Sequence, residues 1–385
     1  MARLLTSSLI AFPRLPTVAA SAAVFLVVLL AGCGTSSSER KKSQAEKKSE
    51  ATVARLRRTL TRNDLCTPAW SPDGNRIAYS TRAKPETIGV GGSNVGNGVL
   101  ALAHLDGAQE EVIQGGIHGD NPQWSPDGSK LLFAHQGGYL HEGGGLFVIN
   151  VDGSGLKRLT DTYGLDPAWS QDGSEIAYVD PASPVDLYGG IGIVDAEGTN
   201  RRTVVPLDSG NPTWSPDGTA IAFTQVLPPS EGYFSSYRVA IVNADGSGLR
   251  VVGPERDVPA APAWSPDGKL AFDDDLGVRI VNADGTGLGW LRGMGGGPTW
   301  SPDGKRIAFG GLDLSVVDSS GRNEQRLTTI SSAGGFDDCP AWSPDGARIA
   351  FVRSVERGKG LEWGVLFVIN SDGRGERQLT QATPR

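Results

Sequence analysis

Pro68-Ala-Trp-Ser-Pro-Asp-Gly74 runs straight into Asn75-Arg-Ile-Ala-Tyr79, and the same word keeps coming back. Trp-Ser-Pro-Asp-Gly stands at Trp70–Gly74, Trp124–Gly128, Trp214–Gly218, Trp264–Gly268, Trp300–Gly304 and Trp342–Gly346. A seventh copy, Trp169–Gly173, carries Gln171 where the others have proline. Successive tryptophans are 54, 45, 45, 50, 36 and 42 residues apart. A period of about 40–50 residues is the length of one four-stranded propeller blade.

Each copy reads as a strand, a turn and a second strand. A proline precedes every motif tryptophan by two: Pro68, Pro122, Pro167, Pro212, Pro262, Pro298 and Pro340. Proline cannot donate to a ladder, so the sequence places it at the first residue of a strand. The tryptophan that follows has the surface for a buried contact between neighbouring blades. In Ser-Pro-Asp-Gly, proline presets φ, aspartate bonds its own turn backbone and glycine accepts positive φ. Ile176-Ala-Tyr178 and Ile349-Ala-Phe351 are typical of the second strand. A third strand ends in Asn-x-Asp-Gly, a hairpin signal, as in Asn150-Val-Asp-Gly153. A fourth ends in Leu-Thr at Leu159, Leu327 and Leu379. Seven such repeats predict an all-β fold, a seven-bladed propeller of four-stranded antiparallel blades.

The extended repeat, from Pro-x-Trp-Ser-Pro-Asp-Gly through Ile-Ala-Phe and Asn-x-Asp-Gly to Leu-Thr, resembles the TolB-like and WD-repeat-like propellers. Similar blades occur in the prolyl oligopeptidase group. The resemblance covers about residues 56–385 and speaks for fold far more than for function. TolB itself has six blades and a separate N-terminal domain; seven motif copies and no such domain are read here.

Residues 1–33 read as an export signal. Arg3 and Arg14 precede an apolar run from about Val18 to Ala31, short for a spanning helix. It ends in Leu30-Ala-Gly-Cys33, which resembles the lipobox of bacterial lipoproteins, with Cys33 as the lipidated residue. The other reading is an ordinary signal peptide that ends near a cysteine. Lipidation implies an extracytoplasmic, membrane-anchored protein, periplasmic in a cell with two membranes.

Residues 34–62 read as a basic tether. From Glu39 to Arg62 nine Lys/Arg face three Glu, a net of +6, whereas residues 63–385 carry 25 Lys/Arg and 40 Asp/Glu, a net of −15. The tether either lies on anionic headgroups or is a soluble spacer. The acidic body disfavours nucleic acid. At the tether's end, Leu56-Arg-Arg-Thr-Leu-Thr61 mimics a fourth strand without deciding whether it is one.

Residues 63–385 form the propeller. Its turns fall on one face. The other face carries the links between blades and the variable segments 81–98, 135–145, 181–190, 225–237 and 353–364, where binding usually sits. Asp64, Asp120, Asp166, Asp208, Asp337 and Asp338 lie three to six residues before their tryptophans. They form a candidate electronegative rim or are turn-capping carboxylates. Trp363, outside the motif, is either a contact residue on a long loop or packs on its own blade. His104 takes the slot that Asn150 fills elsewhere and reads as a turn residue.

His118, His135 and His141, with Glu142 and Asp120, have the ligand types of a metal site without a known zinc spacing. Some propeller polysaccharide lyases use histidine and a metal, so a metal-dependent lyase or hydrolase is the alternative function. No Gly-x-Ser-x-Gly elbow occurs, and no cofactor is expected. The reading is a monomeric, non-catalytic binding scaffold for an envelope protein or glycan. Cys66 and Cys339, in the first and last blades, form a disulfide or remain buried thiols.

Overall fold

Every Ser-Pro-Asp-Gly word closes the same turn. The computed structural model describes residues 67–81, 99–106, 111–113, 119–135, 144–162, 164–181, 188–228, 235–256, 261–274, 277–292, 295–329, 336–357 and 360–380. In the first turn Gly74, at φ +70°, donates its N–H to the Ser71 carbonyl at 2.8 Å. Asp73 Oδ1 accepts from the Ser71 hydroxyl at 2.5 Å and from the Asn75 N–H at 3.0 Å. The Ser71 hydroxyl in turn accepts from the Arg76 N–H at 2.9 Å, which starts the second strand in register. Ser125 and Asp127 repeat this set in the next copy.

The other two signatures have equally local causes. In Asn150-Val-Asp-Gly153, Gly153 N–H donates to Asn150 O at 2.8 Å, and Asp152 caps Ser154 at 2.9 Å. In Leu-Thr, Leu159 N–H pairs with Leu146 O, while the Thr160 hydroxyl accepts the Leu146 N–H at 3.0 Å. Thr328 and Thr380 do the same for Leu314 and Leu366. The threonine therefore finishes the ladder with its side chain where the fourth strand leaves it.

These pieces give seven four-stranded antiparallel units among the described residues. Blade one is Ala69–Trp70, Arg76–Thr81, Val99–His104 and Glu111–Val112, in that spatial order. Blade two runs from Asp120–Trp124 to Lys157–Arg158 in the same manner. One strand, Arg202–Trp214, is both the outer strand of blade three and the inner strand of blade four. Blade five runs from Ala263–Trp264 to Gly289–Arg292. Blades six and seven touch where Gly311, at the end of the second strand of blade six, pairs with Asp337 on the inner strand of blade seven. No helix occurs among the described residues.

Side chains alternate along each strand, so every blade feeds two cores. The buried apolar residues accordingly fall into seven clusters, one at each boundary between neighbouring blades. One of them unites Trp70, Ile77 and Ala103 of blade one with Ala350, Leu366 and Val368 of blade seven, which closes the ring. Five motif tryptophans are buried as expected, while Trp169 and Trp264 are half-buried.

The prolines sit differently from the expectation. In blades one and five the inner strand starts directly after Pro68 and Pro262. In the other five blades it starts earlier, and the proline lies inside it at a bulge. Asp120 faces Ala134 and Gln123 faces Leu132, so the inner strand carries one extra residue there. The same slip occurs in blades three, four, six and seven. A bulge frees one N–H from the ladder, which is what proline needs. The variable segments 225–237 and 353–364 are also less loop-like than expected. Their strands stay paired out to Leu227–Ser236 and Arg357–Gly360, so each is largely an extended hairpin.

Candidate binding face

The inner strands run from the bulge to the tryptophan, so their two ends define two faces of the ring. At the tryptophan end, Trp70, Trp124, Trp300 and Trp342, with the prolines that follow them, line a cavity of about 360 Å³ shared by blades six, seven, one and two. The surrounding turn carboxylates are held ionised. The hydroxyl of Ser125, then the N–H and hydroxyl of Ser129, lower Asp127 to about 2, and Ser170 and Ser174 do the same for Asp172. These groups are committed to turn geometry.

The bulge end is built from the residue directly before each proline: Thr67, Asn121, Asp166, Asn211, Ala261, Gly297 and Cys339. Five of them have left-handed backbones, at φ +52°, +46°, +51°, +61° and +55° for Asn121, Asp166, Asn211, Gly297 and Cys339. Left-handed backbone is uncommon for residues other than glycine, with Asn and Asp the most tolerant.

Side chains link this circle from blade to blade. The Thr67 hydroxyl donates to Asn121 Oδ1 at 3.1 Å, and Asn121 Nδ2 donates to Asp166 Oδ1 at 3.2 Å. Asp166 Oδ2 accepts the Asn211 N–H at 3.3 Å. Across the ring, Gly297 N–H donates to Asp273 Oδ2 at 3.0 Å. An arc of polar groups thus spans blades one to four at the mouth of the axis.

Residues 55–226 match the family model of the TolB beta propeller domain. The chain carries a TolB-like β-propeller. The Tol-Pal system protein TolB of Francisella tularensis is 31% identical over 100 residues. That stretch is 26% of this chain and only 20% of the relative's length, so the chain matches about a fifth of that curated protein. A puromycin-hydrolyzing peptidase from Mycobacterium tuberculosis shares the fold with a TM-score of 0.61 at 18% identity, over 87% of this chain and 54% of that one. The β-propeller domain of the Trilobed protease from Pyrococcus furiosus gives 0.58 at 14% identity, over 83% and 99%. At such identities the likeness is one of fold.

The TolB-like ring places the expected rim residues unequally. Asp166 belongs to the polar circle, and Asp338, one residue before it in blade seven, accepts the Cys339 N–H at 2.8 Å. Asp120 lies beside Asn121, half-buried, and Asp208 is exposed on the strand shared by blades three and four. Asp337 is no rim residue. It is fully buried and bound to Arg353 at 2.6 Å and to the Thr328 hydroxyl at 2.6 Å. Bonds to Asp337 and Glu376 outweigh the burial of Arg353 and hold its pKa above the ordinary arginine value. Trp363 lies on the strand Gly360–Asn370 rather than on a loop.

His104 ends a strand and pairs with Glu111 at 3.2 Å. His135 ends the second strand of blade two, with its ring edge-on to Phe147 at 5.8 Å. His118, His141, Glu142, Asp64, Cys33, Cys66 and the segment 56–61 lie outside the described residues. Among the described residues, no three His, Cys, Asp or Glu side chains gather as a metal-binding group. Cys339 is disulfide-bonded.

Sequence reasoning looked for carboxylates and so passed over Thr67, Asn121, Asn211 and Gly297. The missed signal was positional. Asn, Asp and Gly recur directly before the motif proline, and these types tolerate a left-handed backbone.

Proposed function

We propose that this TolB-like propeller is an exported, lipid-anchored binding scaffold that takes a protein or glycan partner at the bulge-end mouth of its axis. The observation that carries the reading is the arc Thr67–Asn121–Asp166–Asn211, held by side-chain hydrogen bonds across four blades. Non-glycine residues in left-handed backbone cost about 1–3 kcal/mol each and concentrate at ligand clamps. Here that backbone presents amides, a hydroxyl and a carboxylate in fixed positions, a pattern suited to hydrogen-bonded recognition. The link-and-hairpin face around it supplies variable contacts. Acyl chains on Cys33 and the basic tether hold the ring near a membrane.

Site-specific photocrosslinking in envelope membranes tests the reading. A crosslinker at Asp208, near the bulge-end mouth, captures one recurrent partner, and the same probe at Asp245, on the turn face, does not. Asn121→Ala with Asp166→Ala removes the capture without unfolding the ring. Equal capture from both faces speaks against the assignment. Cys33→Ser leaves an unprocessed or released protein; unchanged fractionation removes the anchor from the proposal.

A further inference from the structure

We infer that Cys66 is the disulfide partner of Cys339, and that this bond is a redox-dependent clasp that closes the propeller between blades seven and one. Cys339 is disulfide-bonded, and the chain has three cysteines, so its partner is Cys33 or Cys66. Position in the ring selects between them. Cys339 is the blade-seven member of the circle of residues that precede the motif prolines. The blade-one member is Thr67, directly next to Cys66 in sequence. Neighbouring members of the circle lie within side-chain reach of one another, as Thr67 and Asn121 show at 3.1 Å. Cys66 is therefore tied by one peptide bond to the residue that flanks Cys339 around the ring. Cys33 is 34 positions from Thr67, and lipidation would consume its thiol.

Residue type supports the same conclusion. The other left-handed positions of the circle are Asn121, Asp166, Asn211 and Gly297, the types that adopt this backbone readily. Cysteine has no such preference, and Cys339 holds φ +55° all the same. A covalent bond accounts for a cysteine at that place.

The seam also has a half that needs fastening. Blades seven and one are the two ends of the described propeller. They are joined by Trp70 Nε1 to Ala341 O at 2.9 Å, Arg377 Nη2 to Leu105 O at 2.7 Å, and the apolar cluster between them. Both hydrogen bonds lie toward the turn face. A bond from Cys339 secures the opposite end, at the polar mouth. Blade seven's four strands all come from residues 336–378, so strand exchange with the N-terminal side does not close it among the described residues.

Formation is a two-electron oxidation. One cysteine thiolate attacks a disulfide of an extracytoplasmic dithiol oxidant and expels one of its thiolates. The second cysteine then attacks the mixed disulfide, forms the Cys66–Cys339 bond and releases the oxidant as a dithiol. Two protons and two electrons leave the chain. The clasp therefore forms after export and is absent in a reducing compartment.

Peptide mapping of the full-length protein under non-reducing conditions tests the pairing. The expected product is a Cys66–Cys339 linked peptide that disappears on reduction. A Cys33–Cys339 peptide, or separately alkylated Cys66 and Cys339, overturns the inference. Thermal melting tests the clasp independently. Cys66→Ser, Cys339→Ser and the double variant each lower the midpoint by the same amount, about 5–10 °C. Reductant lowers the wild type to that value and leaves the variants unmoved. Additive losses in the double variant, or a wild-type midpoint indifferent to reductant, overturn it. If a variant does not fold, the reductant melt of the wild type decides.

Discussion

The indole Nε1 of Trp70 donates to the carbonyl oxygen of Ala341 at 2.9 Å, although the two residues are 271 positions apart. The bond is one turn of a relay. Trp124 donates to Ala69, Trp214 to Ala168, Trp264 to Thr213, Trp300 to Ala263 and Trp342 to Thr299. Each acceptor is the residue just before the motif tryptophan of the preceding blade. The motif tryptophan thus sets blade-to-blade spacing by a directed bond as well as by packing. Trp214→Ala removes both contributions and costs about 3–5 kcal/mol, as buried aromatic truncations do. Denaturant melts measure it.

Trp169 breaks the relay. Its Nε1 is buried and has no hydrogen-bond partner, and it belongs to the copy in which Gln171 replaces proline. Trp70→Phe strands the Ala341 carbonyl and costs about 1–3 kcal/mol, while Trp169→Phe removes an unpaired donor and costs about 1 kcal/mol less. Chemical unfolding of the two variants side by side gives the order. A larger loss at Trp169 means that the relay does not carry the difference.

The repeat was legible because each signature acts locally. Ser71, Asp73 and Gly74 close their turn with partners at most five residues away, so the sequence contains the whole cause. The candidate site was less legible because its cause is not local. Asn121 meets Asp166, 45 positions on, only when the chain between them has folded into a blade, and no spacing rule announces that contact. Asp337 shows the opposite error. A carboxylate counted toward a rim by its distance from Trp342 turns inward, because its place on the strand faces Arg353 and Thr328.

The turn carboxylates predict an acid limit. Asp127 is lowered to about 2, first by the Ser125 hydroxyl and then by Ser129. A depressed carboxylate contributes stability above its unfolded value of about 3.9 and loses it as pH falls through the folded value. These turns therefore add no pH dependence between about 5 and 8, and stability falls from about pH 4 toward pH 2. Ser125→Ala removes the largest cause, so the Asp127 midpoint rises toward the ordinary range. Carboxyl-carbon NMR titration reads the change directly. An unmoved midpoint would mean that the serine does not hold the carboxylate.

Arg353 and Asp337 give the sharpest test of what is structural at the bulge end. Arg353 donates Nε and Nη2 to the fully buried Asp337 at 2.6 and 2.8 Å, and Nη1 to Glu376 at 2.7 Å. Its guanidinium also lies 4.5 Å from the centroid of the Phe367 ring. Removing one partner of a buried pair leaves the other charge poorly compensated, at about 3–5 kcal/mol. Glu376 remains as a partner, so Asp337→Ala falls at the lower end, about 3 kcal/mol. The loss comes from the stranded cation rather than from the missing carboxylate. Asp337→Ala with Arg353→Met should therefore be less destabilised than Asp337→Ala alone, a coupling that a double-mutant cycle resolves. Asp166→Ala, by contrast, removes a half-buried group at the mouth and costs about 1 kcal/mol, while partner capture is lost. If Asp166→Ala unfolds the ring and Asp337→Ala leaves it intact but unable to bind, the roles assigned to the two carboxylates are reversed.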